Sequence, residues 1–312
     1  VHKAYHRPSK LEFALKEVNV SISSPRDQLK KELRMHSECG KMQNIVDLYD
    51  VFYDEGRVYL VLELMSWGSL EDLIKIQRQA TPPVKMDEYL LAYTMREVLT
   101  ALNYLHAEHK LVHRDVKPGN ILLNHAGEVK LSDFGTARLS SDPGSLPATA
   151  GTSSVGPLSP LGSAARGHAP SETPPDTASF GTNFVGTTGY MSPQQLNDEY
   201  HSYRADIWSL GIVALECAAG RHPYSAGGEM TAGGLGLVHR VLSEDPPTAE
   251  GLGMSPEFEA FVGCCLRVQE AERASAAELL QHEFITKNTD DVSKFRMSCW
   301  LARFERGGEE DD

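Results

Sequence analysis

One short polar run, His113-Arg114-Asp115-Val116-Lys117-Pro118-Gly119-Asn120, constrains this chain more than any other feature. It follows a helical pattern over residues 87 to 108 and precedes the apolar Ile121-Leu122-Leu123. Asp133-Phe134-Gly135 begins 13 residues after Asn120 and directly follows a strand-like stretch. Basic, acidic and amide side chains at this spacing, placed between a helix and strands, are improbable in an ordinary surface loop. We therefore predict that the two runs belong to one functional site.

The first 65 residues have the pattern of a mostly antiparallel sheet with one helix. Arg7-Pro8-Ser9-Lys10 is a turn signal between two alternating stretches and predicts a β-hairpin. Residues 24 to 39 predict a helix with a proline near its start. Residues 46 to 52 and 57 to 64 predict two further strands.

Residues 66 to 285 are mostly helical in pattern. Apolar residues recur at helical spacing over residues 87 to 108. The helix that begins near Tyr203 is apolar on nearly every side, which predicts that it is buried. Residues 255 to 266 and 274 to 282 predict two more helices. The fold class predicted for the chain is α+β, with a small β-rich part followed by a larger helical part.

Two other segments differ from these parts. Residues 136 to 178 contain seven prolines among small residues. Such a segment cannot bury enough apolar surface to offset its ordering entropy, so we predict a disordered insertion. Residues 286 to 312 form a C-terminal tail with an acidic end. Apolar residues at helical spacing there predict a helix that either packs on the larger part or docks a partner: Val292, Phe295, Cys299, Trp300 and Phe304.

The composition excludes several classes of function. The 312 residues carry a formal net charge of −13, which argues against general binding of nucleic acids or anionic membranes. No apolar stretch approaches 18 residues. The five cysteines form no CxxC pair, as expected for reduced thiols. We therefore expect a cytoplasmic protein.

The motifs together resemble those of eukaryotic protein kinases over about residues 1 to 285. The first run matches the catalytic-loop pattern H-R-D-x-K-x-x-N, and Phe13-Ala14-Leu15-Lys16 is similar to V-A-I-K. Asp206-Ile207-Trp208-Ser209-Leu210-Gly211 resembles D-x-W-S-x-G. Within these kinases the chain resembles the mitogen-activated protein kinase kinases, through Met65-Ser66-Trp67-Gly68-Ser69-Leu70, Phe184-Val185-Gly186-Thr187, Tyr190-Met191-Ser192-Pro193 and Ala271-Glu272-Arg273. The resemblance implies a bilobal fold, with an N-lobe over residues 1–65, a C-lobe over 66–285, and ATP and Mg²⁺ as cofactors.

The resemblance also implies roles for single residues in the phosphoryl-transfer site. Asp115 would accept the hydrogen of the substrate hydroxyl, and Lys117 would contact the transferring phosphoryl group. Thr187 would help both to shape the substrate site. Asn120 and Asp133 would hold Mg²⁺ through oxygen atoms, which this ion prefers.

The nucleotide site is expected in the N-lobe and in the segment that follows it. Lys16 would reach the α- and β-phosphates, with Glu32 as the ion partner that aims it. Leu62 would be the gatekeeper, and the resemblance implies that the backbones of Glu63 and Met65 bind adenine. Ala14 and Leu122 would lie on either side of the adenine ring, and Val1 would complete the site.

The chain departs from the family pattern at its start. No glycine-rich phosphate loop precedes Val1, which stands where the valine just after that loop belongs. We expect that the sequence is cut there and that this piece binds ATP weakly.

The segment after Asp133 departs as well. In this family, two phosphorylated positions precede Phe184-Val185-Gly186-Thr187. Ser179 falls on the first and Asn183 on the second, with Thr182 beside it. We predict that Ser179 is the main regulatory site and Thr182 a secondary one, with Arg114 as the phosphate's partner.

Two substitutions affect expected contacts. Gln194 replaces the glutamate that pairs with the arginine matching Arg273, so the charge-assisted part of that bond is lost. His36 stands where an apolar residue would pack on Phe134, unless the alignment is shifted by one residue. A neutral imidazole there would make assembly of the active state sensitive to pH.

The leading functional hypothesis is a dual-specificity kinase acting on Thr and Tyr of a downstream MAP kinase, itself activated by an upstream kinase. A second hypothesis is a related kinase that phosphorylates only Ser and Thr of other proteins. A third is a pseudokinase or scaffold, which the missing loop, Asn183 and Gln194 suggest and the intact catalytic residues oppose.

Overall fold

The first lobe is a four-stranded antiparallel sheet with one helix. The computed structural model describes residues 1–19, 23–39, 42–80, 86–140, 187–197, 202–225 and 233–304. The strand order is β1-β2-β4-β3. The elements are β1 His2–His6, β2 Leu11–Asn19, α1 Ser23–Cys39, β3 Leu48–Asp54 and β4 Arg57–Leu62. The predicted hairpin and helix are confirmed, while β3 begins two residues later than the apolar pattern indicated.

The inner face of this sheet is set by the strand register. Lys16 of β2 lies opposite Leu60 of β4, so both side chains are on one face. Leu60 is fully buried, and the Lys16 amine bonds to Glu32 of α1 at 2.7 Å. The register therefore turns Lys16 towards the helix and away from solvent.

The second lobe is mainly helical. Its helices are α2 Leu70–Gln79, α3 Glu88–Glu108, α4 Pro193–Leu196, α5 Tyr203–Ala219, α6 Gly233–Ser243, α7 Pro256–Cys265, α8 Ala276–Leu280, α9 Glu283–Asn288 and α10 Ser293–Leu301. The predicted burial of α5 is confirmed, because nearly all of its residues are inaccessible to solvent. Such an all-round apolar helix belongs at the centre of a core, where it can anchor the loops around it.

Short strands position the loops of the larger lobe. β7 Ile121–Leu123 lies between β5 Gly68–Ser69 and β8 Val129–Leu131. β6 Leu111–Val112 pairs with β9 Arg138–Leu139. The predicted insertion therefore does not begin at residue 136, because a strand ladder includes residues 138 and 139. Residues 141 to 186 lie outside the described residues, and so do Ser179 and Thr182.

The tail helix α10 packs on the larger lobe. Met297, Trp300 and Leu301 are buried. The Lys294 amine bonds to the Glu128 carboxylate at 2.6 Å. Of the two alternatives for this segment, packing on the lobe is the one observed. Among the described helices, none combines the length and the apolar character needed to cross a bilayer.

Candidate active site

A buried carboxylate fixes the polar run that begins at His113. Both carboxylate oxygens of Asp206, on α5, accept bonds of 2.8 Å, one from the His113 backbone N–H and one from that of Arg114. The His106 ring also bonds to Asp206, at 2.8 Å. Asp206 is completely inaccessible to solvent, so these bonds compensate for its desolvation. They also hold Arg114 at a φ of 71°, a conformation that needs such support.

The side chains of the run converge on Asp115. Its carboxylate accepts one bond from the Lys117 amine and one from the Asn120 amide, both at 2.8 Å. The Lys117 amine also donates to the Thr187 hydroxyl at 3.0 Å. Three residues of the short run are thus joined to Thr187, which is far away in the sequence and is the first described residue after the gap at 141 to 186. The structure brings these four side chains together, while their roles in phosphoryl transfer remain predictions.

A second cluster joins the two lobes around Lys16. The Lys16 amine bonds to Glu32 at 2.7 Å and to Asp133 at 3.1 Å. Burial disfavours the charged amine, but Asp133 and Glu32 outweigh it and raise the pKa of Lys16. Burial raises the pKa of Glu32 despite its attraction to Lys16. Desolvation also opposes the ionised form of Asp133, yet Lys16 and the Gly135 N–H lower the pKa of this carboxyl.

Asp133 lies in a backbone conformation that presents its side chain to the cleft. Its φ is 63°, and its side chain remains 40% exposed although it is bonded to Lys16. The next residue, Phe134, points inward and is buried. Its ring contacts the His113 ring edge-to-face, with centroids 5.3 Å apart. The burial of Phe134 thus fixes Asp133, whose carboxylate faces the cleft.

Comparison with known proteins identifies the family. The model of the protein kinase domain matches residues 1–156 and 158–285. Mitogen-activated protein kinase kinase 1c of Physcomitrium patens is 34% identical over 294 residues, which cover 92% of this chain and 72% of the relative. This chain is a protein kinase of the mitogen-activated protein kinase kinase family.

Other relatives have the same description but are longer. Mitogen-activated protein kinase kinase 3 of Arabidopsis thaliana is 34% identical over 92% of the kinase described here. Mitogen-activated protein kinase kinase 2 of the same plant is 34% identical over 88% of it. The matched regions cover 47% and 65% of these two relatives. The chain therefore spans between about half and two thirds of their length.

The residues predicted to hold adenine come from strands of both lobes and from the segments beside them. Ala14 is opposite Leu62 in the β2–β4 ladder, and Met65 is buried just beyond β4. Leu122 follows in β7. Val1 precedes β1 and is 78% exposed. Adenine binding by these residues remains a prediction.

Only the backbone of Glu63 had a predicted role, but its side chain forms an ion pair. Its carboxylate accepts two bonds from the Lys130 amine, at 2.6 and 2.8 Å. It also accepts a bond from the Asp47 N–H. Lys130 had no predicted role, and no short-range spacing rule points to a pair 67 residues apart. The ion pair joins β8 to the segment after β4 and so steadies the predicted adenine site.

The contact expected from Gln194 is present. The Arg273 guanidinium donates to the Gln194 side-chain oxygen at 3.0 Å, as predicted. The Gln194 amide also donates to the Val268 carbonyl at 2.9 Å, which the sequence did not indicate. The expectation of a weakened anchor was incomplete, because glutamine makes a bond that glutamate cannot donate.

Sequence reasoning missed a second set of residues, beside Thr187. The His222 ring is buried against Gly189 and contacts Tyr190. A histidine shortly after a buried helix gives no motif signal. The only indication was that the residues at 187 to 190 belong to the kinase pattern.

Proposed function

We propose that this kinase transfers the γ-phosphoryl group of ATP to threonine and tyrosine hydroxyls of a downstream mitogen-activated protein kinase. The observation that carries the proposal is the convergence of Asp115, Lys117, Asn120 and Thr187 in one cluster, together with the contact of Lys16 with Asp133. The names of the relatives support this class of substrate. A pseudokinase or scaffold is not favoured, because every one of these side chains is present and bonded.

Asp115 is placed to orient the acceptor hydroxyl. Its carboxylate already accepts from Lys117 and Asn120, which fixes its orientation. The hydroxyl of the substrate donates its hydrogen to this carboxylate and turns its oxygen towards the γ-phosphorus. The Lys117 amine neutralises charge on the phosphoryl group that moves from ATP to that oxygen.

Lys16 positions the phosphates that remain with the nucleotide. Glu32 and Asp133 keep the amine charged and aimed at the cleft. A cation fixed in this position binds the α- and β-phosphates, and its side chain does not have to reorient during the transfer.

The donor set fits a magnesium site. Asp133 is an ionised and partly exposed carboxylate. Asn120 uses its amide nitrogen to donate to Asp115, which leaves its side-chain carbonyl oxygen as a hard ligand. The described residues contain no group of three or more His, Cys, Asp and Glu that could hold a metal, and Mg²⁺ at such sites needs only one or two protein ligands besides phosphate and water. When bound, the ion neutralises phosphate charge.

We further propose that an upstream kinase activates the protein through Ser179, with Thr182 as a secondary site. A phosphate there would pair with Arg114, whose backbone is held by Asp206. A cytoplasmic location is proposed as well, supported by the sparse set of five cysteines without a CxxC pair.

The test is phosphate transfer to a catalytically inactive mitogen-activated protein kinase. We expect phosphothreonine and phosphotyrosine to appear with the wild type, and kcat to fall about 10²- to 10⁴-fold in Asp115→Asn without a change in melting temperature. Asp54→Asn, on the exposed end of β3, is the matched control and should retain full activity. After treatment with an upstream kinase, Ser179→Ala should lose most of the stimulation seen with the wild type. Transfer to serine and threonine alone would contradict dual specificity, and equal activity of Asp115→Asn would contradict the mechanism.

A further inference from the structure

An open groove lies on the larger lobe beside helix α7. One wall is the chain over residues 245 to 250, and the other is the chain over residues 266 to 272, which follows α7. The cavity between them has a volume of about 750 Å³, which is within the range of cavities that bind ligands in proteins. None of the residues that line it belongs to the phosphoryl-transfer site. We call this cavity the α7 groove.

Both walls of the α7 groove are fixed by the fold. The Arg273 guanidinium donates two bonds to the Arg267 carbonyl, at 3.2 and 2.9 Å. The Gln194 amide donates to the Val268 carbonyl at 2.9 Å. In the opposite wall, Pro246-Pro247 restricts the backbone. A ligand that enters a groove of fixed shape loses less affinity to the ordering of the protein.

The floor of the α7 groove is apolar and contains one position without a side chain. Val262 of α7 and Leu266 line the groove and are buried. Gly263 also lines it and lies inside the helix. An added β-carbon on Gly263 would meet nothing within 4 Å, so the packing of the lobe does not require glycine. Glycine weakens a helix interior relative to alanine, and its effect here is to leave space for an apolar side chain of a ligand.

The rim of the α7 groove is acidic. Among the described residues that line it, Arg267 alone is basic, and four are acidic: Asp245, Glu250, Glu259 and Glu272. None of these four carboxylates forms an ion pair within the described part of the chain. Unpaired carboxylates around one cavity attract cationic groups. Val268 is 45% exposed beside them, so the groove suits a peptide segment with both basic and apolar side chains.

The α7 groove is connected to the polar run that begins at His113 through one short helix. Gln194 of α4 bonds to Val268 in the groove wall. Gln195, the next residue of α4, donates from its amide to the Arg114 carbonyl at 3.5 Å. A helix with its side chains is about 10 Å wide, so the wall and the polar run are separated by about that distance. A folded protein with its acceptor hydroxyl at Asp115 is large enough to reach the groove.

We propose that the α7 groove is a docking site for a basic segment of the protein substrate, remote from the hydroxyl that is phosphorylated. Lysine or arginine side chains of that segment pair with the carboxylates of the rim, and an apolar side chain lies over Gly263. This inference rests on the proposed function, because it assigns the segment to the substrate of the kinase. Docking there strengthens binding of the protein substrate and leaves ATP binding and the transfer step unchanged.

Removal of charge from the rim is the first test. The rim variant combines three substitutions: Asp245→Asn, Glu250→Gln and Glu272→Gln. Glu259 is retained, because a negative charge is favourable in the first turn of α7. The control variant removes the same charge from exposed positions elsewhere on the protein. It combines three substitutions: Asp54→Asn, Glu108→Gln and Asp291→Asn.

Filling of the groove is the second test. Gly263→Leu places an apolar side chain over the floor, whereas Gly263→Ala adds only a β-carbon that meets nothing within 4 Å. Both variants should raise the melting temperature by about 1–3 °C, because leucine and alanine both favour a helix interior over glycine. A loss of docking in Gly263→Leu is therefore separable from unfolding.

The expected effects concern the protein substrate only. In the rim variant and in Gly263→Leu, the KM for an inactive mitogen-activated protein kinase should rise about three- to tenfold. Their kcat and their KM for ATP should stay within about twofold of wild type. The control variant and Gly263→Ala should keep wild-type KM values. A short synthetic peptide that contains only the acceptor residues should be phosphorylated equally by all five proteins.

The dependence on salt tests the charge of the docked segment. Raising the NaCl concentration from about 0.05 to about 0.3 M should increase the wild-type KM for the protein substrate several-fold, because salt screens exposed ion pairs. The increase should be smaller in the rim variant, which has fewer carboxylates to screen. The same increase in both proteins would show that the rim does not bind a basic segment.

The outcomes distinguish this inference from the proposed function. Equal KM values for the protein substrate in wild type, the rim variant and Gly263→Leu would overturn the inference and leave the proposed function intact. Equal increases in the rim and control variants would assign the effect to net charge and overturn it as well. Failure of the wild type to phosphorylate any mitogen-activated protein kinase would contradict the proposed function, and this inference with it.

Discussion

The contacts of Gln194 with Arg273 and Val268 show more than the family pattern defines for this position. Gln194 connects the fully buried Arg273 guanidinium to the Val268 carbonyl. The guanidinium also lies over the Trp208 ring at 5.2 Å and donates to the Arg204 carbonyl at 2.7 Å. A buried cation is tolerated only with such a set of acceptors. The amide of Gln194 suits both neighbours, since it accepts from one and donates to the other.

The two bonds of Gln194 lead to a prediction about melting temperature. Gln194→Glu should gain a charge-assisted bond to Arg273 and lose the bond to Val268, so the melting temperature should stay within about 2 °C of wild type. Gln194→Met should lose both bonds and lower it by about 4–8 °C. Differential scanning calorimetry measures both. A large stabilisation in Gln194→Glu would show that the Val268 bond contributes nothing.

At this scale, the sequence predicted contacts within motifs better than contacts between them. Asp115, Lys117 and Asn120 lie close together in the chain, so their spacing alone restricts their geometry. The pairing of Lys16 with Glu32, 16 residues apart, was expected from the family resemblance and not from their spacing. Glu63 with Lys130, and His222 with Gly189, depend on how distant elements pack. No local spacing rule encodes that packing.

The helix α1 is the element on which assembly of the nucleotide site depends. It carries Glu32, which bonds to Lys16, and His36, whose ring meets Phe134 edge-to-face at 5.3 Å. The predicted contact between His36 and Phe134 is thereby confirmed. Burial, reinforced by the charge of Lys16, lowers the pKa of His36 to about 4, while Asp47 and Asp133 oppose the shift.

The lowered pKa of His36 predicts that α1 loses stability in mild acid. An unfolded histidine titrates at about 6.5, so the contribution of the neutral ring is complete above that pH and is lost as the pH falls towards 4. At pH 5.5 the loss is on the order of 1 kcal/mol. We expect the melting temperature and activity of His36→Leu to decline less between pH 7.5 and 5.5 than those of wild type.

His2→Leu is the control for that experiment, because His2 lies on exposed β1 and should leave the wild-type pH dependence unchanged. Identical pH profiles of His36→Leu and wild type would show that the ring is accessible to protons without displacement of α1.

Element boundaries were predictable where a capping residue was present in the sequence. α8 begins at Ala276 rather than at 274, because the Ser275 side chain accepts from the Glu278 N–H and Glu278 bonds back to Ser275. That Ser-x-x-Glu pattern is a capping box and could have placed the boundary. The start of β3 had no comparable signal. Its first ladder pair is followed by an irregular register, which an apolar pattern cannot show.

Across the whole molecule, the site depends on how the lobes join. The Val46 N–H donates to the Leu131 carbonyl at 3.0 Å, and the Leu131 N–H donates to the Asn44 carbonyl at 2.8 Å. The segment before β3 is thus bonded to β8, which leads directly to Asp133. The lobes were predictable from their periodicities, but this connection was not. The connection is made by backbone hydrogen bonds. Every residue except proline can form them, so no side-chain pattern in the sequence marks where they occur.

The C-terminal helix α10 stabilises the larger lobe through close contacts with the turn between β7 and β8. Gly127, in the turn between β7 and β8, lies against α10, where the Ser298 hydroxyl also donates to the His125 carbonyl at 2.6 Å. A β-carbon on Gly127 would lie 2.2 Å from the Lys294 carbonyl oxygen. The fit leaves no space for a side chain, so the turn and the helix must move together.

Gly127→Ala should therefore destabilise the lobe far more than backbone strain alone would. Gly56→Ala is the matched control, since Gly56 has a φ of 83° against 80° for Gly127 and its added β-carbon would meet nothing within 4 Å. We expect Gly56→Ala to cost about 1–2 kcal/mol, from left-handed strain. Gly127→Ala should cost at least about 3 kcal/mol, because α10 must shift and uncover Met297, Trp300 and Leu301. Thermal melting measures the difference, and hydrogen exchange should rise across residues 293 to 301 in Gly127→Ala only. Equal shifts in the two variants would show that the tail helix does not depend on this contact.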